Sequence, residues 1–300
     1  MNFYKKIIRN KKMRFQVLKI LGFVPDKQMI SLQYFIKHHR RLNLKNPKRY
    51  TEKIQWYKLN YRDNNMPICV DKYRVREYIK GKGLAQILVQ LYGAYDNVED
   101  IDFSLLPEKF ILKTSNGSGT NIICRDKNNL DENRVKEQVH AFLKQSGASA
   151  GREWAYSYSK PKIIVEQLLE DPSSDLGEIN DYKFLCFNGE PEYVVLDVDR
   201  FSGHKRNIYD IDWNDLHVES DCPCSKKEYS KPENLDEMLK ISKILCKDFP
   251  AVRVDLYSIN GKVYFGEMTF FPWSGYVQFT PDKFDFMLGE KFVLPKKSVL

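Results

Sequence analysis

Three groups of residues in this chain are of types, and at spacings, that could do chemistry. The first is Lys113, which closes the apolar run Phe110-Ile111-Leu112 and precedes Thr114-Ser115-Asn116-Gly117-Ser118-Gly119-Thr120. A Gly- and Ser-rich loop between strands can turn several backbone N–H groups toward one point and so cradle a phosphate. A half-buried lysine beside it requires a negative partner. In the Walker loop the lysine follows the glycines and opens a helix, so this loop is of another kind. A plain hairpin turn is the simpler account of the same residues. The second group lies on the stretch from Val252 to Phe271, where Arg253, Asp255 and Tyr257 alternate with Val252, Val254 and Leu256. A two-residue turn at Asn260-Gly261 would put Asp255 and Glu267 on opposite faces. A three-residue loop with Gly261 left-handed gathers Arg253, Asp255, Glu267 and Thr269 on one face, and this is the expectation here. Two carboxylates on one face repel; an oxygen-only set that holds a cation favours Mg²⁺ or Mn²⁺. The plainer alternative is a salt-bridged face with Arg253 as the shared partner. The third group is a pair of D-x-D triplets, Asp197-Val198-Asp199 and Asp210-Ile211-Asp212, a pattern that can hold a metal on a sugar diphosphate.

The elements that must position these groups are legible in part. Residues 71 to 79 read as a short helix capped by Asp71, and residues 84 to 92 end in a strand. Residues 110 to 113, 121 to 124 and 162 to 165 read as strands, and 131 to 146 as a helix. Asn188-Gly189 and Asn260-Gly261 mark two hairpin tips. Helices interleaved with hairpins imply an α+β fold with mainly antiparallel sheets.

The composition supports a soluble globular chain: 300 residues, 42% hydrophobic, 13% aromatic and 29% charged. The length suggests two lobes around a cleft. Residues 1 to 65 hold 17 Lys/Arg against 3 Asp/Glu, or +14, which leaves 31 against 37, or −6, for the remainder. Phe3, Tyr4, Ile7, Ile8, Met13, Val17, Leu18 and Leu21 recur at helical spacing among lysines and arginines, which predicts a basic amphipathic helix. A second helix is expected from a Ser31 N-cap to Leu42, and a third from Thr51-Glu52. These helices pack on the body with solvated basic faces, or else dock on an anionic membrane surface or an acidic glycan. The aromatics form no stacking platform, which argues against nucleic acid. No apolar run reaches the roughly 20 residues a bilayer span needs, and the expected location is the cytoplasm, at the inner face of the membrane if the opening docks there. Six scattered cysteines and five histidines show no zinc spacing.

Six blocks in order resemble the ATP-grasp superfamily, most closely its TupA-like branch associated with teichuronopeptide and surface-polysaccharide synthesis. They are CVDKYRVREYI (69 to 79), FILKTSNGSGT (110 to 120), KIIVEQLLED (162 to 171), DYKFLCFNGEPEYVVLDVDR (181 to 200), RVDLY (253 to 257) and GEMTFFPWSG (266 to 275). The resemblance implies two ATP-grasp lobes, 66–165 with the phosphate loop and 166–300 with the metal site, after a basic segment 1–65. It implies that Lys72 and Lys113 hold the ATP phosphates, with Ser115, Gly117, Ser118 and Gly119 in the flap above them. Glu166, Gln167 and Leu169 match the hinge at the adenine edge. Lys183 and Arg200 match basic residues near the γ-phosphate and the acyl substrate, and Arg253 is the third catalytic candidate. Asp255, Glu267 and Thr269 match the metal ligands, with Thr269 where the superfamily has an asparagine. The implied cofactors are ATP and Mg²⁺ or Mn²⁺, and the implied activity is carboxylate–amine ligation through an acyl phosphate, on a small-molecule or glycan carboxylate and an amine. The D-x-D triplets keep a nucleotide-sugar glycosyltransferase as the alternative.

Overall fold

The computed structural model describes residues 21–117, 119–145, 151–158, 160–174 and 176–298. Ser118 and the expected helix within residues 1–20 lie outside them. In chain order the main elements are α1 (Asp26–His38), α2 (Tyr50–Asn60), α3 (Met66–Cys69), α4 (Val75–Gly81), β1 (Leu91–Tyr95), β2 (Phe110–Thr114), β3 (Asn121–Cys124), α5 (Glu132–Gln145), β4 (Ile163–Gln167), β5 (Asp181–Phe187), β6 (Glu190–Val198), β7 (Lys205–Asp210), α6 (Leu235–Cys246), β8 (Ala251–Ile259), β9 (Lys262–Thr269) and α7 (Lys283–Lys291). The strands form two antiparallel sheets, ordered β1-β4-β2-β3 and β7-β6-β5-β8-β9. The α+β expectation holds.

Strand alternation decides what each sheet offers. In β2, Phe110 and Leu112 are buried in a core with Val135, Val139, Ile163 and Val165. Ile111 and Lys113 therefore face the other way, toward the second sheet. In β8, Val252, Val254 and Leu256 join the larger core under the second sheet, where α6 packs against β5, β6 and β8. Arg253, Asp255 and Tyr257 take the opposite face.

Apolar packing groups the chain differently from the boundaries expected at 65/66 and 165/166. Tyr50, Ile54 and Tyr57 of α2, and Met66 through Ile87, share the core of the second sheet. Residues 165 and 166 both lie within β4. Two helix starts also differ. The α1 helix begins after Pro25, because proline sets its own backbone angle for a helix entry; Ser31 sits inside it and bonds back to the Lys27 carbonyl at 2.7 Å. Asp71 caps a turn, its Oδ1 accepting from the Tyr73 and Arg74 amides at 2.9 and 3.0 Å, and regular helix starts only at Val75.

Candidate active site

Between the two sheets runs a cleft lined by apolar and by cationic side chains. Val89, Ile111, Ile123, Leu169 and Phe265 line the apolar part; Lys72, Lys113, Arg125 and Arg200 bring positive charge to it. A flat aromatic ring suits the first and phosphates the second.

The loop after β2 is anchored rather than open at its base. Ser115 Oγ donates to Asp71 Oδ2 at 2.8 Å and accepts from the Lys162 amide at 3.0 Å. Its hydroxyl is therefore occupied in holding the loop to residues 71–74. Thr114 and Thr120 join their hydroxyls at 2.6 Å across the loop's neck. A side chain on Gly117 would collide with both threonines, so the loop needs glycine there. Gly119 takes φ +70°, the left-handed region that favours glycine. Lys72 Nζ donates to the Gly117 carbonyl at 2.7 Å and lies 3.9 Å from Glu267 Oε2. Burial pulls the Lys72 pKa below the ordinary lysine value and the neighbouring Lys113 adds to this, against the pull of Glu267.

Lys113 Nζ lies 3.1 Å from Glu166 Oε2, and Arg76 holds Glu166 Oε1 at 3.1 Å while donating to the Val89 carbonyl at 2.9 Å. Glu166 is buried between the two cations. Gln167 and Leu169 follow it along the cleft wall. Arg76 was missed in the sequence, although it stands four residues after Lys72; that spacing in a helical stretch was the available signal.

The last hairpin corrects the loop expectation. Asn260 and Gly261 form a two-residue turn, with φ of 50° and 75°, between the partners Ile259 and Lys262. Asp255 and Glu267 still come together, because a bulge between Asp255 and Leu256 inserts Gly266 as the extra residue and flips the face. Glycine fits the bulge most easily: a Cβ on Gly266 would stand 3.0 Å from the Asp255 carbonyl and 3.2 Å from the Tyr257 ring. Arg253 grips Asp255 through both oxygens at 2.7 Å and reaches Glu267 at 3.0 Å and Thr269 at 3.3 Å. It is the shared partner of the plainer reading. Among the described residues no group of three or more His, Cys, Asp or Glu converges as metal ligands would. The oxygen-only set still suits a hard divalent cation, and Glu267, half-buried beside Lys72, is more open than Asp255. Burial opposes the Glu267 charge, but Lys72, Arg253, Lys183 and Arg200 outweigh it and hold its pKa at about 2. Glu267 stays anionic at any physiological pH. Asp255 is 1% exposed, with both oxygens held by Arg253 and one also by Lys183 at 2.7 Å, so it would bind a cation only by exchanging those partners.

The sequence matches the TupA-like ATP-grasp family over residues 52–293. The chain belongs to that family. This TupA-like ATP-grasp protein is also similar to solved structures at low identity. The D-alanine–D-alanine ligase of Bacillus anthracis, complexed with ATP, shares 13% identity at a TM-score of 0.40, over 67% of this chain and 53% of that one. The Helicobacter pylori D-alanine–D-alanine ligase gives 15% and 0.39, over 75% and 62%. The N5-carboxyaminoimidazole synthase of Aspergillus clavatus, in complex with ADP and 5-aminoimidazole ribonucleotide, gives 10% and 0.39, over 68% and 44%. The TupA-like chain thus spans about half the length of these proteins. No curated protein matches it.

One of the TupA-like protein's expected site residues, Lys183, sits in a different setting. Lys183 is buried in the second sheet, where it pairs with Asp181, with Asp255 at 2.7 Å and with Asp197 at 3.8 Å. Burial opposes its charge, but Asp181 and Asp255 raise its pKa above the ordinary value. It lies under the Arg253–Asp255 pair, outside the residues lining the cleft. Arg200 lies half-exposed at the cleft, 3.0 Å from Asp181. The first D-x-D triplet is not open to a metal: Asp197 is 2% exposed, and Arg206 binds its two oxygens at 2.6 and 3.0 Å. In the second, Asp210 accepts from the Asp212 and Asn214 amides at 3.0 and 2.8 Å and so shapes a turn. These contacts remove the observation behind the glycosyltransferase alternative. Lys58 of α2 was also missed. Its buried ammonium donates to the carbonyls of Gly151 and Ser274, at 2.9 and 2.7 Å, and ties α2 to the left-handed turn at Trp273 and Ser274.

Proposed function

We propose that the protein is an ATP-dependent carboxylate–amine ligase that acts in cell-surface polysaccharide or teichuronopeptide-like synthesis. The observation that carries the reading is that Lys72 and Lys113 line one cleft together with Val89, Ile111 and Leu169, and that Glu267 lies 3.9 Å from Lys72. In this reading ATP lies with its adenine against Val89, Ile111 and Leu169 and with the backbone of Glu166 and Gln167 at its edge. Lys72 and Lys113 exchange their present partners, the Gly117 carbonyl and Glu166, for phosphate oxygens. The loop that carries Gly117 and Gly119 covers the phosphates, and the anchored Ser115 fixes the loop's base. Glu267 with Thr269, and Asp255 once freed from its cations, would hold Mg²⁺ or Mn²⁺. That ion would neutralise phosphate charge and align the reacting oxygens.

A substrate carboxylate attacks the γ-phosphorus and ADP leaves, forming an acyl phosphate. An amine then attacks the acyl carbon, phosphate leaves with the C–O electron pair, and an amide remains after the amine loses a proton. Little covalent help is needed from the protein; charge neutralisation and alignment suffice. Arg253 and Arg200 steer the carboxylate and the developing negative charge, and Lys183 acts from beneath by holding Asp255. Exclusion of water protects the acyl phosphate. The acyl substrate class is a uronic acid or another glycan carboxylate, and the amine is an amino acid. The work is done in the cytoplasm, with the basic opening docking on an acidic surface, either a membrane or a glycan. ADP release against a panel of uronic acids with amino acids, read by mass spectrometry for the amide, tests the reading. ADP release without any amide across the panel would contradict ligation.

A further inference from the structure

We propose that α1 seats the protein on an anionic lipid bilayer through an exposed apolar stripe. The inference rests on the docking part of the reading above and is independent of the ligation chemistry. The α1 helix buries Met29, Ile30, Tyr34 and His38 against the body. Its opposite face carries Leu32 and Phe35, 51% and 52% exposed, and Phe23 just before it is 81% exposed. Gln28, Leu32 and Phe35 stand four and three residues apart and therefore share a side. Around this stripe the chain is basic: residues 21–49 hold seven Lys/Arg and one Asp. Of these, Lys27, Arg41, Lys45 and Lys48 are exposed.

Charge and apolarity together choose the occupant. An acidic glycan would answer the lysines but offers no apolar phase to three large side chains. A second copy of the chain would bury the stripe but would press two basic segments together. An anionic bilayer meets both requirements, with lipid headgroups at the cations and acyl chains at the stripe. Among the described residues no helix is long and apolar enough to cross a membrane.

The same helix is tied to the body by hydrogen bonds. Tyr276 OH donates to Gln33 at 2.7 Å, and Gln278 donates to the Lys37 carbonyl at 2.8 Å, both from the chain that follows β9. Arg152, in the segment that carries Tyr156, donates to the Leu21 carbonyl and to Asp26, each at 2.9 Å.

Sedimentation of the full chain with vesicles tests this, using phosphatidylcholine alone and phosphatidylcholine with about 30 mol% phosphatidylglycerol. Binding to the anionic vesicles should exceed binding to the neutral ones by about tenfold or more. The double variant Leu32→Glu/Phe35→Glu should lose that gain while keeping wild-type MgATP affinity, since neither residue lines the cleft. The milder Leu32→Ser/Phe35→Ser, whose thermal midpoint should match wild type, should lose most of it too. Equal binding to both vesicle types would overturn the proposal. So would anionic-vesicle binding that soluble polyglutamate displaces and the stripe variants leave intact, because that is the behaviour of an acidic-polymer site.

Discussion

The cleft wall and the stripe across the second sheet are built from the same side chains, Lys, Arg, Asp and Glu, and differ in how completely those side chains are spent. Across the sheet, register partners Arg206 and Asp197, then Asp197 and Asp181, then Lys183 and Asp255, then Asp255 and Glu267 stand side by side on adjacent strands. There Asp197, Lys183 and Asp255 are nearly inaccessible, and each is met by opposite charge. At the cleft, Lys72 holds one carbonyl with Glu267 at 3.9 Å, and Lys113 holds only one oxygen of Glu166. Partners of that kind can be exchanged for a phosphate. The stripe is a foundation and the cleft a place of exchange, and the boundary between them runs through Arg253, Asp255 and Glu267.

Perturbing each region should separate stability from binding. The largest effect is expected for Asp197→Ala, which leaves Arg206 and Lys183 buried with one carboxylate fewer. A loss of about 3–5 kcal/mol is expected from denaturant midpoints; a midpoint near wild type would deny the stripe its structural role. The acid limb follows from the same pair. Burial would raise the Asp197 pKa, but Arg206 outweighs it and holds the folded value at about 2. Its stabilisation is therefore present above the unfolded carboxylate value of about 4 and lost as pH falls toward 2. In Asp197→Asn that acid limb should flatten.

Lys72→Ala should weaken MgATP binding by about 10- to 100-fold, or about 1.4–2.8 kcal/mol, with a thermal midpoint close to wild type. A collapse of the fold with unchanged affinity in the folded fraction would move Lys72 to the structural side of the comparison. Glu267→Gln should raise the Mg²⁺ concentration needed for half-maximal ADP release by about tenfold, with a smaller loss of stability than Asp197→Ala because Glu267 is the more exposed carboxylate. Gly266→Ala should have the smallest effect. The Asp255 carbonyl and Tyr257 must give by a few tenths of an ångström, at about 1 kcal/mol, and a larger loss would show the bulge to be part of the foundation.

Much of this division was written in local pattern and some of it was not. Phe110 and Leu112 against Ile111 and Lys113 give the face of β2 by alternation alone, and the two Asn-Gly pairs place the hairpin tips. The gathering of Asp255 with Glu267 was expected for the wrong reason. The parity of a hairpin depends on every residue between its ends, and Gly266 reads equally as strand or as bulge. Lys183 and Asp197 looked like candidates for chemistry because their partners, Asp255 and Arg206, become neighbours only when strands pair. Arg76 and Lys58 escaped notice for the same reason: their acceptors, Glu166, Ser274 and Gly151, lie far along the chain.

Calorimetric titration of MgATP into wild type and Lys113→Ala tests the central claim most directly. Wild type should bind at one site, and the variant, equally folded by circular dichroism, should bind at least about tenfold more weakly. Equal affinity in the two proteins, or no binding by wild type, would contradict the assignment of this cleft to ATP.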